Sequence, residues 1–86
     1  MPIIKRTCEF DHCFSKMTNS IQRQALKCLN YLRENPKHPS LQTHKVQGTN
    51  FIEAYVNDNG VRILFTRSKD TIILKYIGYH DILKNL

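Results

Sequence analysis

No stretch of this 86-residue chain approaches the roughly 20 consecutive apolar residues that a membrane-spanning helix needs, although 41% of its residues are hydrophobic. The N-terminal MPIIKRTCEF has no long apolar core and no small-residue cleavage site, so no signal peptide is expected, and the cytoplasm is the expected compartment. The cysteines, Cys8, Cys13 and Cys28, are odd in number and unpaired in spacing, which excludes a disulfide framework. C-x2-C spacing is also missing, and this argues against a zinc site built on Cys8, His12 and Cys13. Cys13 and Cys28 read instead as small apolar filler on helix faces. Repeats, low-complexity tracts and linkers are lacking, so residues 1–86 are expected to form one domain. Acidic residues are scarce: seven Asp and Glu stand against thirteen Lys and Arg, a formal charge of +6. On so small a body that field attracts polyanions, nucleic acid first and an acidic protein partner second, though the same charge also serves solubility.

What is present divides into two halves with different periods. IIKRTCEF, Ile3 to Phe10, reads as an edge strand. Phe10, Phe14 and Met17 then recur along one side of a short helix that Asp11 is placed to cap. A longer helix follows, with Asn19 as its cap and Gln22 able to reach back to it. Ile21, Ala25, Cys28, Leu29 and Leu32 form its apolar face, and Pro36 ends it by disfavouring the α conformation at Asn35.

The second half alternates. A polar connection, KHPSLQTHKVQGTN, carries a short strand near His44 to Gly48. In FIEAYVN, Ile52, Ala54 and Val56 point one way, and Phe51, Glu53 and Tyr55 the other. NDNG is a hairpin signal, because Asn and Gly tolerate positive φ. VRILFTR and TIILKYIGY are the next two strands. The expected architecture is α+β: a small antiparallel sheet, made of the N-terminal strand and a C-terminal meander, with the helical hairpin packed on one face. Val61, Ile63 and Phe65 share one face of their strand; Arg62, Leu64 and Thr66 share the other. An arginine amid apolar residues in a central strand is costly, so either that face is open to water or a ligand, or Arg62 pairs with Glu53 on a neighbouring strand.

The order of NPKHPSLQTHKVQG, VRILF and IGYHDIL resembles that in the RelE/ParE superfamily of bacterial toxins, and within it the RelE- and YafQ-type messenger-RNA endonucleases. The resemblance covers almost the whole chain, from CEFDHCFSKM to HDIL, though no single motif is strong. It implies a site on the open face of the sheet, an antitoxin that wraps the toxin in a hetero-oligomer, no membrane association, and cleavage of mRNA in the ribosomal A site with no metal or other cofactor. Residue by residue, it implies that His80 matches a catalytic histidine of YafQ-like members and a catalytic arginine of RelE-like ones. His44 matches a YafQ-like histidine, Lys45 falls where RelE-like members place basic residues, and Arg62 matches a phosphate-binding arginine. Tyr55 stands where YafQ-like members carry a histidine. The YafQ-like acidic position falls in the NDNG turn, near Asp58, and the C-terminal tyrosine of RelE-like members has no counterpart before Leu86. The site is therefore of mixed type.

The chemistry that this implies needs a base for the 2′-hydroxyl, an acid for the leaving 5′-oxygen and a cation for the charge on the phosphorane. Histidine suits the first two roles and arginine the third. His80, His44 and Arg62 are the catalytic candidates, with Lys45, Arg67 and Tyr55 binding substrate. Alternation places His80 and Leu74 on one side of the last strand; Tyr55 or Tyr79 could stack on a base. Lys5, Arg6, Arg23, Lys27 and Arg33 offer a broad surface for ribosomal RNA or a merely solvated face; His12 and His38 are given no role. Against catalysis, His80 could simply complete a turn before a helix DILKNL capped by Asp81. Two further readings stay open: a ParE-like inhibitor of DNA gyrase on the same fold, and a degraded toxin that survives as an antitoxin-binding protein.

Overall fold

The structure, a computed structural model, describes residues 2–83 apart from the side chain of Ile82. In chain order the elements are β1 (Ile3–Arg6), α1 (Cys8–Ser15), α2 (Asn19–Glu34), a 3-10 turn (Pro39–Leu41), β2 (His44–Lys45), β3 (Ile52–Tyr55), β4 (Val61–Ser68), β5 (Thr71–Tyr79) and α3 (His80–Leu83). Among the described residues the strands form a five-stranded sheet in the order β1-β5-β4-β3-β2. The meander from β2 to β5 is antiparallel, as its alternation and turns predict. β1 joins the edge parallel to β5, with Ile3 beside Thr71 and Arg6 beside Leu74, so the sheet is mixed. No described helix is long and apolar enough to cross a membrane.

The N-terminal boundaries differ from expectation because threonines win the caps. The strand predicted to reach Phe10 ends at Arg6, since Thr7 is extended and its hydroxyl accepts from the Phe10 N–H at 3.1 Å. Asp11 lies inside α1, where it pairs with Arg6 at 3.6 Å. Likewise Thr18, not Asn19, caps α2, accepting from the Ile21 N–H at 3.2 Å. Gln22 does not reach back to a cap; its amide donates to the Phe14 carbonyl at 3.0 Å and ties the two helices together. α2 ends at Glu34, with Asn35 extended ahead of Pro36. The helix predicted for DILKNL begins one residue earlier, at His80, with Asp81 in its first turn rather than at a cap; Lys84–Leu86 lie outside the described residues.

Phe10 of α1 and Ala25, Cys28 and Leu32 of α2 pack on Ala54, Val61, Ile63, Phe65, Ile72, Leu74 and Ile77 of the sheet, with Leu41 of the 3-10 turn at the margin. Full burial of side chains such as Leu32 or Ile63 stabilises the fold by about 2 kcal/mol each. The 57–60 turn is organised by Asn57, whose Oδ1 accepts from the N–H groups of Asn59 and Val61. Gly60 sits there at φ 94°, a left-handed conformation that suits glycine.

One irregularity decides which residues of β5 face the core. Leu64 of β4 stands opposite Tyr76, but the next residue, Phe65, stands opposite Leu74. Lys75 is therefore an extra residue, a bulge. Before it the even-numbered Ile72 and Leu74 enter the core; after it the odd-numbered Ile77 does. The expectation that Leu74 and His80 share a face fails for this reason: Leu74 is core, and the bulge turns Tyr76 and Gly78 to the face away from α1 and α2. The Thr7 hydroxyl also donates to the Leu74 carbonyl at 2.8 Å, so one side chain caps α1 and pins the bulge.

Candidate active site

The face of the sheet away from α1 and α2 holds a buried carboxylate. Glu53 lies mid-strand in β3, opposite His44 on β2 and Leu64 on β4, and its side chain is 5% exposed. A lone carboxylate so far removed from water is costly, and it persists only when cations and donors surround it. Three side chains do so here. His80 Nδ1 is 3.2 Å from Glu53 Oε2, His44 Nε2 is 3.5 Å from Oε1, and Arg62 Nε is 3.6 Å from Oε1.

Each of the three arrives from a different element. His80 opens α3, where its backbone N–H donates to the Gly60 carbonyl at 2.8 Å and so joins the end of the last strand to the turn between β3 and β4. Leu83 of the same turn of helix packs near Gly78, and a Cβ at that glycine would lie 3.4 Å from the leucine side chain. His44 comes from the short edge strand, and its Nδ1 lies 3.3 Å from the Gln42 carbonyl. Gln42 holds φ 45° to turn the chain from the 3-10 turn into β2.

Arg62 meets both of the expectations set for it: it lies on the face opposite the core, and it pairs with Glu53. Its Nη1 donates to the Asn57 carbonyl at 3.1 Å and the Val61 carbonyl at 2.9 Å, and its guanidinium lies 4.7 Å from the centroid of the Tyr55 ring. These contacts engage Nε and Nη1. Tyr55 thus serves as a seat for Arg62.

His44, Lys45, Phe51, Glu53, Leu64, His80 and Leu83 line a cleft of about 560 Å³. Of the substrate-binding candidates, Lys45 is in this cleft. Arg67 is not: it is five residues along β4 from Arg62, about 17 Å at strand spacing, and it lines a separate groove with Lys45, Asn50 and Thr66. Tyr55 borders a hollow of 160 Å³ beside Cys28 and Tyr31. Asp58 is exposed in the hairpin turn, so the carboxylate at the centre of the cleft is Glu53, which the sequence reading had treated only as a partner for Arg62. Its signal was there: a charged residue amid the apolar alternation of β3, the same anomaly that singles out Arg62. Among the described residues no group of three His, Cys, Asp or Glu is placed to hold a metal ion, Cys8, His12 and Cys13 included.

No protein-family model matches the chain, and no curated protein matches it in sequence. Solved structures do. YafQ from E. coli superposes with a TM-score of 0.78 at 12% identity, covering 96% of this chain and 98% of that one. A chain of the intact E. coli RelBE toxin-antitoxin complex gives 0.74 at 13% identity, over 92% and 96%. A copper-bound mutant toxin from Helicobacter pylori gives 0.68 at 22% identity, over 96% and 99%. At these identities the agreement is one of fold along nearly the whole of each chain: the protein has the RelE-like fold, the architecture of the RelE and YafQ toxins.

Proposed function

We propose that this protein is the toxin of a type II toxin-antitoxin pair and acts as a metal-independent endoribonuclease on mRNA at the ribosomal A site. The observation that carries this reading is the convergence of His80, His44 and Arg62 on the buried Glu53, which borders one cleft together with the two histidines, on the sheet face away from the helices. The shared fold of the RelE and YafQ toxins supports it, as does the charge of +6, which favours an RNA or ribosomal partner.

The hydrogen-bond partners divide the roles. A carboxylate only accepts, so His80 gives Glu53 its Nδ1–H, and in the neutral ring this leaves Nε2 as the accepting nitrogen. That nitrogen is the base for the 2′-hydroxyl, and Glu53 orients the ring and steadies the imidazolium that forms, as in other carboxylate–histidine pairs. His44 stands between two acceptors, the Gln42 carbonyl and Glu53 Oε1, an arrangement suited to the doubly protonated ring. It is the acid that protonates the departing 5′-oxygen. The 2′-oxygen bonds to phosphorus as the 5′-oxygen leaves, giving a 2′,3′-cyclic phosphate. Arg62 and Lys45 hold the charge that builds on the phosphoryl oxygens.

The partners on this reading are a cognate antitoxin, mRNA and the ribosome. The test is primer extension on cellular mRNA after brief induction of the protein, beside His80→Ala. Cuts within translated frames that vanish in the variant are expected. Growth arrest with intact mRNA would replace this reading with gyrase inhibition.

A further inference from the structure

The lining of the cleft is of two kinds: His44, Lys45, Glu53 and His80 are polar or charged, and Phe51, Leu64 and Leu83 are apolar. The candidates for base stacking read from the sequence do not border it. Tyr55 is taken up by Arg62, and Tyr79, which stands opposite the core residue Val61 and is 42% exposed, does not line the cleft. The aromatic side chain that does border the cleft is Phe51. Its ring meets that of Tyr76 edge-on, with centroids 6.1 Å apart and planes at 88°. Phe51 precedes β3 and Tyr76 is on β5, so the two rings close over β4, whose Leu64 is 2% exposed.

The backbone of Phe51 is held as firmly as a binding platform requires. Its carbonyl accepts from the Val46 N–H at 2.9 Å, and its N–H donates to Thr49 Oγ1 at 3.0 Å. The same 46–50 loop thus fixes Phe51 and follows directly on Lys45. The ring remains partly exposed, beside groups that attract phosphate.

We infer that Phe51, braced edge-on by Tyr76, is the platform on which an unpaired RNA base stacks while its phosphates lie against Lys45 and Arg62. This rests on the endoribonuclease reading and adds to it the group that binds the nucleobase. Stacking on an aromatic ring tolerates any base and holds it through its face, which a surface of phenylalanine and leucine without hydrogen-bonding groups can supply.

The probe is a seven-nucleotide single-stranded RNA with methylated 2′-hydroxyls, which cannot be cut, and with 2-aminopurine at one position moved through the series. Binding to the intact protein is expected to quench the fluorophore most at one position. Phe51→Leu keeps the apolar packing; it is expected to lose that quenching and to weaken affinity about tenfold, within the range of one lost base stack, whereas Phe51→Trp retains both. An RNA abasic at that position is expected to bind the native protein and Phe51→Leu equally. Equal affinity of native protein and Phe51→Leu for the intact RNA, with the fold unchanged by thermal melting, would overturn the platform and leave the rings as packing or a seat for a protein partner. Equal weakening on intact and abasic RNA would overturn it as well. Failure of the native protein to bind any member of the series, free or placed in the A site of ribosomes, would overturn the endoribonuclease reading together with the platform.

Discussion

Nδ1 of His80 lies 3.2 Å from Oε2 of Glu53, across 27 residues of chain, and the carboxylate is the more deeply buried partner, its side chain 5% exposed against 51% for the imidazole. The less exposed group orients the more exposed one. His80→Ala is therefore expected to lose RNA cleavage by a factor of about a hundred or more, the usual loss when a general base is removed, with little change in melting temperature. Glu53→Ala is expected to lower both, because it leaves Arg62 half-buried without a counter-charge, at about 3 kcal/mol. Thermal melting beside a cleavage assay separates the two effects; an inactive His80→Ala that also melts early would count against the assigned division of labour.

Arg62 is expected to resist conservative replacement. Its guanidinium serves Glu53, two carbonyls and the Tyr55 face at once, and an ammonium has neither the planar fork nor the reach for this set. Arg62→Ala and Arg62→Lys should both lower cleavage by a factor of about a hundred, as when a transition-state donor is lost. Restored activity in Arg62→Lys would show that charge alone suffices.

Chelators test the metal-free chemistry. Cleavage is expected to proceed unchanged in EDTA, since the base, the acid and the phosphate cation are all supplied by side chains. Inhibition that a divalent ion reverses would instead make the histidines ligands.

Thr7 is a stability hot point away from the site. Its hydroxyl caps α1 and holds the Leu74 carbonyl at the bulge. Thr7→Val removes both bonds with little change in shape and should destabilise the protein by about 1–2 kcal/mol, read as a shift in the urea midpoint. An unchanged midpoint would mean that the bulge and the helix start hold themselves.

Cys28 is 3% exposed, and burial pushes its thiol up to about 12 from an ordinary 9.0. The raised value favours the neutral folded form, so this contribution to stability is complete below pH 9 and is lost as the pH climbs towards 12. Iodoacetamide at pH 8 is expected to alkylate the exposed Cys8 quickly and to spare Cys28 until the protein unfolds, as peptide mass spectrometry would show. Fast labelling of Cys28 in the folded state would point to opening of α2 from the sheet.

Much of this was legible in the residues, for physical reasons that stop at definite places. Apolar spacing in α2 and alternation in β3 and β4 disclose the faces because burial has a period. Arg62 was visible as a charge where a central strand should be apolar; Glu53 carried the same signal on β3. What the pattern does not encode is register. His44, Glu53 and His80 are brought together by pairings of β2 with β3 and by the Gly60–His80 bond, neither of which local sequence specifies. The direction of β1 is likewise invisible to alternation. So is a bulge, which appears in sequence only as alternation out of step between Leu74 and Ile77.

That bulge makes β5 tolerant of number at one position. Lys75 reaches neither the packed interior nor the cleft, and no residue of β4 stands opposite it. Without it Leu74 and Tyr76 would be neighbours, still opposite Phe65 and Leu64, and strict alternation would leave Ile77 in the interior and His80 beside Glu53. A one-residue deletion there is expected to be far milder than one at Ile63 of β4, which would turn Leu64 inward and Phe65 outward. Lys75 is a spare residue, a place where the strand can change its count without overturning its faces.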